Sequence, residues 1–337
     1  MLKEVFRAID EAKSFFLTTH LNPDGDAVGS ILAFKSILGK IGHDPVLYMK
    51  DPVPENFNFL PGSEKIIHEV NGISGRTFDL AIVVDSTDWM RTGGPFEPEI
   101  SFKRVVNIDH HKSNINFGDI NLVDTEASAT SEIIYDLLDV MGLPLSLDVA
   151  TCIYTGIMTD TGCFTYSNTN ARAFEISEKL VRAGVAPDMV AEEVNENYSV
   201  SRLLLLKMAL ETLEFNADKR IGAITISQEM FNKTKSGPHI IEGFIDYPRF
   251  VSGVKVALLF RELPGGGVYK VSFRSRNPLD VAKIAGTFGG GGHMNASGCT
   301  IEGSLPDVKA EVFRVVEAEL KKDGGSESLY GGGDGDV

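Results

Sequence analysis

Eight side chains in this sequence could do chemistry together. His20, Asp24 and Asp26 fall within the seven residues HLNPDGD, and Asp85 stands alone at the end of FDLAIVVD. Asp109, His110 and His111 close KRVVNIDHH, and Asp160 precedes Gly162 in TGIMTDTG. Carboxylates gathered in this way repel one another unless cations hold them. Oxygen-rich ligation with a few imidazoles and no thiolate suits Mn²⁺ or Mg²⁺ better than a structural zinc. Two such ions about 3.5 to 4 Å apart, bridged by one carboxylate, hold a nucleophilic water and clamp a phosphoryl oxygen. Phosphoester hydrolysis is the reaction that most needs this arrangement. Taken singly, each loop also reads as a solvated turn, because Asn, Pro, Asp and Gly are ordinary turn residues. The recurrence of acid-rich loops after apolar strands favours a site.

The apolar pattern shows which elements must position these groups. Residues 1–14 read as an amphipathic helix with Val5, Ile9 and Ala12 turned inward. A buried strand follows from Phe15 and delivers His20. Pro23 and Gly25 then bend the loop so that its two aspartates can converge. A helix over 27–40 is ended by Gly42, and PVLYMKD reads as a second strand. A Pro-rich connection leads to a short helix near 64–70. Leu80 to Val84 is an uninterrupted apolar run, as in a central parallel strand covered on both faces, and Asp85 stands at its end. In α/β proteins such strand-to-helix turns lie at the carboxyl edge of the sheet, where sites are built. Helices are expected over SATSEIIYDLLDVMG, capped by Ser128 or Thr130, over LDVATCIYTGIMTDTG and over 171–183, with CFTYSNT strand-like between the last two. The leucines of a helix over 201–213 read as packing in a connector between two bodies.

Beyond Arg220 the texture changes. RIGAITISQEMF, GVKVALLFREL and VYKVSFRSRN read as strands, the last two joined by a hairpin turn over 264–267. A short helix over 280–287, the run GGGGHMNASG and a helix over 307–321 complete this part. The expected fold is therefore α/β. An N-terminal parallel-sheet domain over 1–195 carries helices on both faces, and a helical linker over 196–216 joins it to a smaller α/β domain over 217–322. Residues 323–337, rich in Gly, Ser and Asp, read as a disordered tail.

Composition narrows the function. A chain of 337 residues can bury two cores. Its net charge of −15 repels a long polyanion, which argues against duplex DNA and for small anionic ligands whose site charges are reversed locally by cations and a few arginines. No apolar run approaches the roughly 20 residues that span a bilayer, and the N-terminus has no signal-peptide pattern, so a cytoplasmic protein without a membrane partner is expected. Cys152, Cys163 and Cys299 are odd in number and lack C-x-x-C spacing, which excludes a disulfide framework and a thiolate zinc cluster. They read as small buried hydrophobes. There is no G-x-S-x-G elbow and no Walker A sequence, and GGGGH lacks the spaced glycines of a dinucleotide fingerprint.

HLNPDGDAVGS, VVDSTD, NIDHH and TGIMTDTG resemble the four successive motifs of the DHH phosphoesterase superfamily. FRS followed by GGGGHMNASG resembles the motifs of its associated DHHA1 domain, so the likeness runs from about Thr18 to Gly298. In size and in the absence of added domains the chain is similar to the bacterial nanoRNases, the oligoribonuclease and 3′-phosphoadenosine-5′-phosphate (pAp) phosphatase type. The resemblance implies two divalent cations, Mn²⁺ ahead of Mg²⁺ or Co²⁺. His20, Asp24 and Asp85 are implied to hold one, and Asp26, Asp85, His110 and Asp160 the other, with Asp85 bridging. It further implies that His111 meets the substrate phosphate and that Asp109 fixes a histidine tautomer. Arg274, Gly290, Gly291, Gly292 and His293 would bind the nucleotide. Arg276, on the same side of its strand, reads equally well as a solvated surface arginine.

The implied activity is hydrolysis of short single-stranded oligoribonucleotides and of the 3′-phosphate of pAp. One domain would cut while the other holds the nucleotide end. A phosphodiesterase acting on cyclic di-AMP or pApA is the rival within the same chemistry, and a nucleotide sensor that does not cut is the rival of another class. No segment declares an interface, so a homodimer is left open.

Overall fold

A computed structural model describes residues 2–94, 96, 98–196, 198–275 and 279–323 of the chain. Arg276 and residues 324–337 of the expected tail lie outside them. The chain divides into two compact units, Met1–Asn197 and Tyr198–Val337.

The first unit is built on a parallel sheet. Its strands are β1 (Phe15–Thr18), β2 (Val46–Leu47), β3 (Thr77–Val84), β4 (Ser101–Asp109) and β5 (Ile120–Val123), in the order β2-β1-β3-β4-β5. All four pairings are parallel, so every strand ends on the same edge. The order reverses between β1 and β3, which makes the crevice beyond those two strands the topological switch point. One face is covered by α1 (Leu2–Glu11), α2 (Gly25–Lys40), α3 (Thr130–Val140) and α4 (Leu147–Asp160), in a core that includes Val5, Ile9, Leu17, Leu32, Ile82 and Ile153. Among the described residues the opposite face is closed by aromatic rings (Phe16, Tyr48, Phe78, Phe96) and by 3-10 turns such as Asn71–Ile73, not by the α-helices expected on both faces. Further along the chain come α5 (Ala171–Arg182), α6 (Pro187–Ala191) and a π-turn over Glu192–Glu196.

Glycines let two helices meet backbone to backbone. A Cβ on Gly29 of α2 would lie 2.4 Å from the Cys152 carbonyl oxygen of α4, and one on Gly156 would lie 2.7 Å from Asp26 Oδ1. The α2–α4 contact is thus made at the distance the site requires.

Four local expectations are corrected. The segment near 64–70 forms only 3-10 turns at Ser63–Lys65 and Asn71–Ile73. CFTYSNT is a turn, because Cys163 and Phe164 both take left-handed φ of 56° and 64° after Gly162. Cys163 is accordingly exposed, while Cys152 and Cys299 are buried. Neither Ser128 nor Thr130 caps α3 by its side chain; the N-cap is Ala129.

The second unit carries a mixed sheet. Its strands are β6 (Glu214–Phe215), β7 (Ile221–Ile226), β8 (Val256–Glu262), β9 (Val268–Ser275), β10 (Gly291–His293) and β11 (Ala296–Glu302), in the order β10-β11-β9-β8-β7-β6. Among the described residues only β7 and β8 run parallel in this sheet. One face packs against α10 (Val281–Gly286) and α11 (Leu305–Asp323), through Val271, Phe273, Ile284 and Val312. The other is covered over β7 and β8 by α7 (Val200–Leu210), α8 (Gln228–Thr234) and α9 (Asp246–Phe250). The helix read as a connector therefore packs Leu205 and Ala209 into this unit, while Leu203 and Leu204 stay exposed. SQEMF starts α8 rather than extending β7, with Ser227 capping Met230 N. GGHMNASG forms the hairpin β10–β11.

Candidate metal centre

The carboxyl edge of the first sheet gathers the eight residues. β1 hands the chain to His20, which is 8% exposed, and the following loop ends at Asp24, the N-cap of α2. Asp24 Oδ1 accepts from the amides of Asp26 and Ala27 at 3.1 and 3.0 Å. Asp26 lies in the first turn of α2 and not in the loop. Its carboxylate accepts from Thr130 N (2.6 Å) and Ser131 N (2.9 Å), so it caps α3 from another element. The Cβ-free Gly156 leaves room for that capping geometry.

Asp85 follows β3 in the left-handed region, at φ 53°. Asp tolerates this conformation better than most residues, and such strain collects at functional sites. The side chain is buried and turns one oxygen to each side: Oδ2 lies 3.3 Å from His20 Nε2, while Oδ1 lies 3.8 Å from His110 Nε2. Thr130 Oγ1 donates to Oδ1 at 3.0 Å. Ligand atoms of His20, Asp24 and Asp85 lie within 4.8 Å of one another, as do those of Asp26, His110 and Asp160. Asp85, His110 and His111 form a third such group.

Tautomers show what these groups face. His20 Nδ1 meets the Leu21 carbonyl at 2.8 Å and His110 Nδ1 meets the Ala127 carbonyl at 3.2 Å. A carbonyl only accepts, so each Nδ1 carries the proton and each Nε2 is directed into the acidic cluster. Among the described residues His110 Nε2 has no hydrogen-bond partner; it is buried, 3.5 Å from Asp160 Oδ2. An unpartnered imidazole nitrogen facing carboxylates in a buried site is the arrangement that a proton or a cation completes.

The protonation pattern of the cluster supports the same reading. Burial, then the charge of Asp85, pushes the Asp26 carboxyl up to about 6. Burial, then the charge of Asp26, pushes Asp160 up to about 8. Burial works against a charged Asp85, but the hydrogen bond and charge of His20 hold its carboxyl below the usual carboxylate range. Burial likewise opposes a charged His20, yet Asp85 raises that imidazole to about 9. Carboxylates this close draw in positive charge, and protons or metal ions can supply it.

His111 differs from the other two histidines. Its Nδ1 meets Asp109 Oδ1 at 2.7 Å, which leaves Nε2 as the atom available to another group. Asp109 is fully buried and also accepts from His110 N at 2.9 Å and from Asn114 Nδ2 at 2.5 Å. Asp109 belongs to none of the three ligand groups.

Sequence reading missed the groups that brace the centre. Asn107 Nδ2 donates to the Ser86 carbonyl at 3.0 Å, and Asn107 Oδ1 accepts from Asn114 at 2.7 Å. Asn168 holds both the Asp160 carbonyl (3.0 Å) and its Oδ2 (3.2 Å). An asparagine inside the apolar run RVVNI was the available signal for Asn107; nothing local marks Asn168.

In the second unit, Arg274 lies on β9 in register with Ala296 of β11, which itself pairs with His293 of β10. Arg274 Nη1 donates to the Phe273 carbonyl at 3.1 Å. Gly290 and Gly292 are spaces a side chain could not fill: a Cβ would lie 2.2 Å from the Gly298 oxygen and 2.6 Å from the Ala296 oxygen, respectively. Gly291 carries no such restriction.

Comparison with known proteins decides the family. The model of the DHH family, N-terminal domain, matches residues 14–157, and that of the DHHA1 domain matches residues 225–322. The bifunctional oligoribonuclease and PAP phosphatase NrnA of Thermus thermophilus is 30% identical over 326 residues, spanning 96% of this chain and 95% of that protein. The chain belongs to the DHH family. Within it, the Bacillus subtilis protein of the same name is 28% identical, over 89% of this chain and 93% of its own. The crystal structure of an exopolyphosphatase-related protein from Bacteroides fragilis superposes with a TM-score of 0.85, at 28% identity and 95% coverage of both chains. As a DHH-family protein the chain is a phosphoesterase. The motifs that name the family, DHH at Asp109–His111 above all, are the ones that build the cluster.

Proposed function

We propose that this DHH phosphoesterase hydrolyses short oligoribonucleotides and the 3′-phosphate of pAp. The observation that carries the reading is the pair of ligand groups at the switch point, with Asp85 offering one oxygen to each. Full-length similarity to proteins named for those two activities supports the substrate class. His20, Asp24 and Asp85 would hold one divalent cation in this reading, and Asp26, Asp85, His110 and Asp160 would hold the second. Mn²⁺ suits the mixed carboxylate and imidazole donors, and a bound pair of such ions activates water and neutralises phosphoryl oxygens.

The chain's own residues do the rest. Asp26 and Asp85 are held rigid by Thr130 and Ser131, so the centre is organised before substrate arrives. Asp109 fixes the His111 tautomer so that an N–H at Nε2 can donate to the phosphate under attack. Arg274, with its planar fork, binds a second phosphate, and the backbone of Gly290–Gly292 with His293 forms the adjoining anion-binding surface. Residues 1–195 are the cutting domain in this assignment, and 196–216 link it to the nucleotide-holding domain over 217–322.

The test is hydrolysis of pApA, pAp and cyclic di-AMP by metal-stripped protein with Mn²⁺ restored. Mononucleotide from pApA together with phosphate from pAp is the expected result. Cyclic di-AMP as the best substrate would overturn it in favour of second-messenger turnover, and binding without cleavage would overturn it in favour of a sensor.

A further inference from the structure

The second unit carries cations that the site described so far does not use. Directly opposite each other on adjacent strands stand Arg261 of β8 and Lys270 of β9. Like charges in that position repel. Among the described residues neither head group has a carboxylate partner, and burial without a compensating charge lowers the Arg261 pKa. An unneutralised cation pair in a chain of net charge −15 is a local exception, not a share of a basic surface.

Register places this pair on the face that carries Arg274. Side chains alternate along β9, so Lys270, Ser272 and Arg274 share one side, opposite Val271 and Phe273, which face the core under α10 and α11. Over β7 and β8 that side is roofed by the core beneath α7 and α8. α9 also touches β9, yet over β9 and β11 the side is not fully covered: Lys270 and Thr300 are exposed, and Ser272 and Gly298 are half-exposed. Between Arg274 and the Arg261–Lys270 pair lies Ser272, flanked across the ladder by Gly298 of β11 and by the buried Leu259 of β8. Four residues of strand separate Arg274 from Lys270, about 13 Å, more than one phosphate-to-phosphate step.

We propose that this strip is a phosphate track: Arg274 takes one phosphate of a short single-stranded oligonucleotide, and Arg261 with Lys270 takes a phosphate farther along the same strand. The track rests on the reading of the protein as an oligoribonucleotide hydrolase and adds a basis for substrate length. A nucleoside bisphosphate is too short to reach the pair, whereas about 13 Å is roughly two phosphate-to-phosphate steps, so an oligomer of about three or more nucleotides spans it. The cation pair is a specificity feature, not part of the cutting centre.

The test is equilibrium binding of a labelled oligoadenylate pentamer, with pAp binding measured in parallel, without added divalent ions so that nothing is cleaved. In the Arg261→Gln/Lys270→Gln double variant the pentamer should bind about tenfold more weakly at low salt. The slope of log K against log salt should shrink by about 1.4, two contacts at about 0.7 each for a single strand. Affinity for pAp should be unchanged, and Arg261→Lys/Lys270→Arg should retain the wild-type slope, which separates charge from folding. An unchanged pentamer slope, or equal losses for pAp and pentamer, would overturn the track. Hydrolysis assays on the same proteins keep the two readings apart. Pentamer cleavage with unaltered binding in the double variant removes the track alone. Salt-dependent binding lost in the variant, without cleavage by the wild type, removes the hydrolase reading and leaves the track standing.

Discussion

Replacing Asp160 by Asn should stabilise the ion-free protein and destabilise the ion-loaded one. Asp160 ends α4, its side chain is 26% exposed, and its carboxyl is raised to about 8 by burial and by Asp26. A carboxyl raised above its unfolded value binds more protons in the folded state. Stability is therefore lost progressively as pH climbs from about 4 to about 8, and stays constant above that. The ceiling on that loss is about 5 kcal/mol, at about 1.36 kcal/mol per pH unit. Water at the open side and proton uptake by His110 reduce it to about 2 kcal/mol. Asn is neutral at every pH and still offers Asn168 an oxygen in place of Oδ2. For a unit of about 200 residues, about 2 kcal/mol is a rise of about 4 to 8 °C in Tm. Calorimetry at pH 8 in chelator should show that rise, shrinking toward pH 5. Added Mn²⁺ should reverse the order, because the wild type gains about 2.7 kcal/mol at a hundredfold excess over Kd and the variant gains less. An Asp160→Asn variant that melts lower than the wild type in chelator at pH 8, or that gains as much from Mn²⁺, would refute the repulsion argument.

Other perturbations separate the roles assigned above. Asp85→Ala should abolish turnover and weaken both ions, so metal analysis of the purified variant should show loss at two sites; a variant that still turns over sinks the bridging role. Arg274→Ala should raise KM for nucleotides about tenfold while bound metal stays at the wild-type level, one charged hydrogen bond being worth about 1.5 to 3 kcal/mol. Gly156→Ala forces a methyl group toward Asp26 and Ser131 and should cost about 1 to 3 kcal/mol, read as a lower denaturant midpoint together with weaker Mn²⁺ binding. Asp109→Asn should lower kcat with metal content retained, since it releases the His111 tautomer without removing a ligand.

What the sequence revealed and what it hid follow from the range of the interactions. Strands that deliver residues to the sheet edge are written locally: Leu80 to Val84 can be read as buried because neighbours in sequence are apolar, and Asp85 follows at once. His20, Asp109 and His111 are visible for the same reason. The partners of those residues come from far along the chain. Asp26 caps α3 across 104 residues, which is why Ser128 and Thr130 fail as local caps. Thr130 instead spends its hydroxyl on Asp85, 45 residues away. The strand expected over CFTYSNT fails because β-propensity there is overruled by the left-handed turn that follows Gly162, where the loop returns Asn168 to Asp160. Both of these failures therefore lie within hydrogen-bonding reach of the acidic cluster. The local preference that was overridden is the one that would have left a carboxylate unsupported, so these departures from sequence propensity trace the support of the candidate centre more closely than the motifs do.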